Sequence, residues 1–224
     1  KGPWTVKYSS PGYKTVKLRL NNGDDSLVKT AMLEVIALPN GIVRVKEGSN
    51  PICEENRLVL AVSNNQSLPL KYNWYKMESP WNLLVSDSLL TITKIALSDS
   101  GKYIAILDHR GCLDTTAEFS LKVWAKPLAK MGYDPNYSPC LRGNKFTFTD
   151  QSTVYNSSIL SRSWKAVSPV KTATSNAFSQ VFSSAGNQTV QLIVVSAEGC
   201  LDTETVVVKV KGHPVSQFAF AKAA

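Results

Sequence analysis

Apolar residues along this chain fall in short runs with a period of two. Val16, Leu18 and Leu20 alternate with Lys17 and Arg19, and Phe146 and Phe148 alternate with Thr147 and Thr149. Such alternation sends successive side chains to opposite faces of a pleated strand. It predicts strands over residues 15–20, 57–62, 71–75, 89–93, 145–149, 190–195 and 205–210, with polar turns between them. A 3.6-residue period is nowhere sustained, so the expected fold class is all-β. No apolar run approaches the roughly 20 residues a membrane-spanning helix needs, so no membrane insertion is expected within this segment.

The strands themselves repeat. Tyr8-Ser9-Ser10-Pro11-Gly12-Tyr13-Lys14-Thr15-Val16-Lys17-Leu18 aligns with Phe182-Ser183-Ser184-Ala185-Gly186-Asn187-Gln188-Thr189-Val190-Gln191-Leu192. A looser third copy runs from Leu97 to Ile106, and its Gly111-Cys112-Leu113-Asp114-Thr115 recurs as Gly199-Cys200-Leu201-Asp202-Thr203. Gly12, Gly101 and Gly186 stand 89 and then 85 residues apart. A repeat of that length, filled with short strands, is the mark of stacked β-sandwiches.

The phase of the repeat divides the chain. Residues 1–39 read as the C-terminal remnant of a sandwich, 40–126 and 127–212 as two complete sandwiches, and 213–224 as the first strand of a further one. The expectation is thus a piece of a longer array, entered and left inside a domain. Proline sits at each boundary, at Pro39, Pro127 and Pro214, and restrains the linkers because its ring fixes one backbone angle.

Particular residues carry a resemblance to known families. Trp74, in Lys71-Tyr72-Asn73-Trp74-Tyr75-Lys76, and Tyr103, in Asp99-Ser100-Gly101-Lys102-Tyr103, resemble the core tryptophan and tyrosine corner of immunoglobulin-like domains. The resemblance places an inter-sheet disulfide near Val62 and Ala105, where this sequence has no cysteine, so apolar packing alone is expected to hold the middle sandwich. Residues 1–39 and 127–212 resemble PKD domains through Lys145-Phe146-Thr147-Phe148-Thr149-Asp150-Gln151-Ser152 and the aromatic-Ser-Ser-x-Gly-x-x-Thr-Val run. Trp164 stands where that family has Trp-Asp-Phe-Gly-Asp-Gly, but Lys165-Ala166-Val167-Ser168 supplies none of the acidic residues a hard cation needs. No metal or cofactor is therefore expected. The expected fold is a set of tandem immunoglobulin-like and PKD β-sandwiches arranged end to end.

Four cysteines, two in each complete domain, imply disulfides and an oxidising compartment. Two pairings are open. One bridges each domain internally, Cys53 with Cys112 and Cys140 with Cys200. Sandwich topology argues against it, because Cys53 and Cys140 precede a second strand whereas Cys112 and Cys200 lie in a last hairpin. Those two ends of a sandwich stand ~20 Å apart, and bridged Cα atoms must come within about 7 Å. The other pairing joins Cys53 to Cys200 across the domain boundary and leaves Cys112 and Cys140 for adjoining domains.

Charge and chemistry alter this picture little. The formal net charge is +8, but Lys and Arg are scattered singly along strands, where they discourage edge-to-edge aggregation. Nucleic-acid binding, which calls for a basic stripe with stacking aromatics, is not expected. His109 and His213 are placed in turns far apart, so no nucleophile, base and orienting group converge, and no catalytic residue is assigned. Asp24-Asp25, Glu54-Glu55 and Asp99 read as turn and corner acids. Trp81, outside the alternation in Glu78-Ser79-Pro80-Trp81-Asn82, is the candidate ligand contact. Trp4 and Trp124 read as packing at domain edges.

Arrays of this kind resemble long surface proteins of Bacteroidetes exported by type IX secretion, including gliding-motility adhesins. The resemblance implies a non-catalytic stalk, filament or adhesin spacer at the cell surface, with neighbouring domains, surface glycans or other surface proteins as partners. The alternatives are an accessory substrate-binding module of a secreted hydrolase and an assembly module of a surface fibre or secretion complex.

Overall fold

The computed structural model describes residues 3–21, 26–64, 66–167 and 169–214. The chain divides into two units, residues 1–52 with 56–122, and residues 53–55 with 123–224. The expected opening strand around Phe218 and Phe220 lies outside the described residues.

The first unit opens with a hairpin of β1 (Gly12–Asn21) and β2 (Ser26–Val35), paired antiparallel from Gly12 with Val35 to Asn21 with Ser26. A two-layer fold follows, built from β3 (Ile42–Glu47), β4 (Ile52–Cys53), β5 (Leu58–Ser63), β6 (Lys71–Lys76), β7 (Asn82–Val85) and β8 (Leu89–Ile92). A single 3-10 turn (Leu97–Asp99) leads to β9 (Gly101–His109), β10 (Cys112–Thr115) and β11 (Phe119–Leu121). One sheet is ordered β3-β5-β8 and the other β10-β9-β6-β7, with β11 also on β9. Leu58, Leu60 and Leu90 of the first sheet and Trp74, Tyr103, Ala105 and Leu107 of the second are all buried. Each occupies an alternate position of its strand, so the pleat directs this set to one side.

The second unit contains β12 (Val123–Trp124), β13 (Met131–Gly132), β14 (Phe146–Asp150), β15 (Ile159–Val167), β16 (Val170–Ala173), β17 (Ala177–Gln180), β18 (Gly186–Ser196) and β19 (Leu201–Val210). Its sheets are ordered β13-β14-β17 and β16-β15-β18-β19. Phe146, Phe148 and Phe178 from the three-stranded sheet meet Trp164, Val190, Leu192, Val194, Val206, Val208 and Val210 from the four-stranded one in a single core. Trp164 and Phe178 lie nearly parallel with ring centroids 5.7 Å apart, within the range where offset aromatic pairs attract beyond their buried area.

The repeat glycines occupy like places. Gly12 and Gly186 open β1 and β18 with φ of 105° and 107°, a conformation that a side chain disfavours and glycine permits. Gly101 opens β9 with φ 150°. Each of the three glycines thus opens the first strand of a hairpin, β1–β2, β9–β10 or β18–β19. All seven strands expected from the alternation coincide with observed strands, four lying wholly within them and those at 57–62, 89–93 and 145–149 each overhanging by one residue.

One placement differs from expectation. His109 is not in a turn: it ends β9, is buried, and its Nδ1 lies 3.1 Å from the Pro69 carbonyl oxygen. In β5, Leu58 and Leu60 are fully buried, whereas Val62 near the strand end is half-buried.

Candidate functional site

The two core tryptophans are built alike. Trp74 on β6 is fully buried and its Nε1–H donates to the Asp87 carbonyl at 3.0 Å. Trp164 on β15 is also fully buried and its Nε1–H donates to the Ser175 carbonyl at 2.8 Å. In each, one edge of the indole is satisfied while the rest fills the core, which avoids the cost of burying an unpaired N–H.

Tyr103 closes the corner ahead of β9. Its hydroxyl donates to the Asp99 carbonyl at 2.7 Å, and the Asp99 carboxylate accepts from the Ala96 N–H at 2.8 Å. Burial, with Asp99 and Glu78 nearby, pushes the Tyr103 phenol well above its usual range. It stays neutral at any physiological pH, and Asp99 is engaged in the turn.

A polar cluster lies in the second unit, around a disulfide. Cys53 bonds Cys200, with Cα atoms 5.7 Å apart. Of the two pairings left open by the sequence, this is the one the structure contains, while Cys112 and Cys140 hold free thiols. Residues 53–55 thus group with the second unit, although the repeat assigns them to the middle sandwich.

Around the bridge, the Glu54 N–H donates to the Trp124 carbonyl at 2.9 Å. Lys126 Nζ lies 2.9 Å from Glu55 and 3.0 Å from Asp202. The Ala129 N–H donates to Asp202 at 2.9 Å. Burial acts to raise the Asp202 pKa, but hydrogen bonds from Ala129, Lys126 and Thr203 outweigh it and hold the carboxyl below its ordinary value. The hydrogen bonds of Glu55 and Asp202 hold the Lys126 ammonium above its own. The cluster is a set of charged fasteners about a covalent bond.

The other expected residues are dispersed. Trp81 is 52% exposed, with its ring centroid 6.2 Å from that of Tyr75 and tilted by 53°. The pair offers an open aromatic surface. Trp4 is exposed and Trp124 is half-buried in β12. Asp24 and Asp25 lie outside the described residues. Among the described residues no three His, Cys, Asp or Glu side chains gather as a metal ion would require. Among the described residues no helix is long and apolar enough to cross a membrane. An open depression of about 370 Å³ is lined by Lys71, Tyr72, Asn73, Asp87, Asp108 and Leu113.

Reasoning from sequence missed the fasteners. Lys126, Glu55 and Asp202 come from three distant stretches, and no local pattern joins them. A weak signal existed in the Asp202 of the repeated Gly-Cys-Leu-Asp-Thr.

No protein-family model matches the chain, and no curated protein matches it. Solved structures do. The PKD1 domain of Vibrio anguillarum Epp aligns at 20% identity over 39% of this chain and 96% of its own, with a TM-score of 0.33. The fibronectin(III)-like modules of Clostridium thermocellum CbhA align at 13% identity over 81% of this chain and 100% of theirs, with a TM-score of 0.36. The N-terminal four Ig domains of Dscam1 isoform 6.9 align at 19% identity over 92% of this chain and 56% of theirs, with a TM-score of 0.33.

Proposed function

We propose that this chain is a non-catalytic structural and adhesive segment of a secreted cell-surface protein, a stalk, filament or adhesin spacer. The observation that carries the reading is the Cys53–Cys200 bond, which ties residues 147 positions apart. A structural disulfide persists in an oxidising compartment and is rare in a reducing cytosol. The charged groups beside it are committed to fastening, and the interior of the second unit is filled by aromatic and aliphatic side chains. Its partners in this reading are neighbouring domains of the same protein and glycans or proteins of the surface. Export by type IX secretion, as in gliding-motility adhesins, is the finer form of the proposal and rests on the resemblance of the repeat.

The test is made on the native cells. An antibody raised against this segment labels intact cells, and exchanging the segment for an unrelated pair of sandwiches of equal length preserves attachment. Antigen confined to the reducing cytosol would overturn the reading.

The exposed Trp81 beside Tyr75 favours a second reading, an accessory module that stacks on sugar rings. Binding of the purified chain to a glycan array, lost in Trp81→Ala, would establish it in place of the first.

A further inference from the structure

The β1–β2 hairpin has one face rich in aliphatic residues, interrupted by Lys14 and Lys29, without cover among the described residues. The register puts Val16, Leu18 and Leu20 of β1 on the same side as Leu27, Leu33 and Val35 of β2. Leu18, Leu20, Leu27 and Leu33 are each about half exposed, at 51, 54, 56 and 49%. Two strands alone are marginal in water, and such a face ordinarily needs a second layer.

The same chain shows what covers this kind of face. β18 and β19 pair from Gly186 with Val210, the counterpart of Gly12 with Val35. Val190, Leu192 and Val194, the counterparts of Val16, Leu18 and Leu20, are fully buried. They lie in one core with Phe146, Phe148 and Phe178 of the three-stranded sheet β13-β14-β17.

A second, independent observation concerns Cys112. It is a half-buried free thiol in the repeat of the sequence whose other copy, at Cys200, is bonded to Cys53. Arg110, two residues before it, grips Glu34 of β2 with both guanidinium nitrogens at 2.5 and 2.9 Å. Just beyond Glu34, Val35, Ile36, Ala37 and Leu38 line an open groove of about 300 Å³ with Tyr8 and Pro11.

The corresponding place in the second unit is filled by a cysteine-bearing segment. The Lys211 N–H donates to the Pro139 carbonyl and the Leu141 N–H donates to the Lys211 carbonyl, both at 2.8 Å, which seats Cys140 beside the end of β19. Cys53 is seated in the same manner, one residue before the Glu54 N–H that donates to Trp124. Ile36 is the counterpart of Lys211, so the groove is the matching seat, and Arg110 holds the Cys112 turn next to it.

We infer that β1–β2 is one wall of a further β-sandwich. Its other wall is a three-stranded antiparallel sheet with an aromatic inner face, and the segment leading to that sheet's central strand carries a cysteine that bonds Cys112. The bond forms from two thiols, which together give up two protons and two electrons to a disulfide-bearing oxidant that leaves as a dithiol. The inference does not depend on what the protein adheres to.

The test compares this 224-residue chain with the polypeptide as its own cells secrete it, using carbene footprinting and non-reducing peptide mapping. Leu18 and Leu33 are expected to react about tenfold less in the secreted polypeptide, while Met32, on the opposite face of β2, reacts equally in both. Cys112 is expected in a peptide joined to a cysteine that precedes an aromatic-rich strand. Equal reactivity of Leu18 and Leu33 in the two samples would overturn the inference. So would a Cys112 that stays free, or one bonded to Cys112 or Cys140 of a second copy.

Discussion

Cys200, at the turn between β18 and β19, is bonded to Cys53, 147 positions away along the chain. Closing so long a loop removes much freedom from the unfolded chain, and bridges of this kind contribute about 2–4 kcal/mol. The Cys53→Ser/Cys200→Ser double variant is therefore expected to melt the second unit at least about 8 °C lower. The core around Trp74, which holds neither cysteine, keeps its own transition. Differential scanning calorimetry reads both, and an unchanged upper and lower transition would show that the bond adds no stability.

Tyr103→Phe deletes one oxygen and leaves the ring in place. What is lost is the 2.7 Å bond to the Asp99 carbonyl, worth about 0.5–1.5 kcal/mol net, with a further cost if that carbonyl finds no water. Urea denaturation followed by tryptophan fluorescence is expected to show a lower midpoint with an unchanged slope. A neutral result would mean the corner is held by the 3-10 turn and Asp99 alone.

Acid is expected to loosen the second unit through two carboxylates. Burial acts to raise Asp150, but hydrogen bonds from Ser152 and from Arg162, at 2.6 Å, win and hold its pKa below the usual aspartate value. Asp202 is lowered in the same sense by Ala129, Lys126 and Thr203. A group whose pKa is lower folded than unfolded lends stability that is complete above its unfolded pKa, about 4. That stability is lost as pH falls through the folded value. The melting temperature should be flat from pH 7 to about 5 and fall below about 4. Arg162→Met should flatten the acid limb in part, and an unaltered limb would dismiss the Asp150 pair as its source.

Legibility followed physical locality. Strands with one apolar and one polar face declare themselves by alternation, and all seven expected strands appear. β15 did not, because between Ile159 and Val167 its inward residues are mostly small or polar and only Trp164 and Ala166 are deeply buried. The repeated Gly-Cys turn made the Cys53–Cys200 pairing accessible, since sandwich topology alone separates the ends that hold the other combination. His109 was misplaced because a polar residue at a strand end looks like turn until a carbonyl such as that of Pro69 is found opposite it. The fasteners Lys126, Glu55 and Asp202, and the amide of Asn144, depend on partners that only the fold brings near.

Asn144 is the most exacting of these. It is 1% exposed, and its side chain acts as a clamp between the β14 approach and the end of the next hairpin. Nδ2 donates to the Leu141 carbonyl at 2.6 Å and to the Phe182 carbonyl at 2.9 Å, while Oδ1 accepts from the Phe182 N–H at 2.7 Å. Phe182 is itself buried, so no water stands ready to replace the amide. Asn144→Leu keeps the approximate volume yet leaves a buried N–H and two carbonyls without this partner. The expected loss is about 2–4 kcal/mol, more than a single neutral hydrogen bond contributes, because each orphaned group carries its desolvation cost. Asn144→Asp retains an acceptor for Phe182 N–H but turns a carboxylate toward two carbonyl oxygens, so it should be worse at pH 7 and recover partly on acidification, where a protonated oxygen can donate. Equilibrium unfolding of the two variants at pH 7 and pH 5 distinguishes the clamp from simple volume filling: if Asn144→Leu unfolds at the wild-type midpoint, the amide is only occupying space.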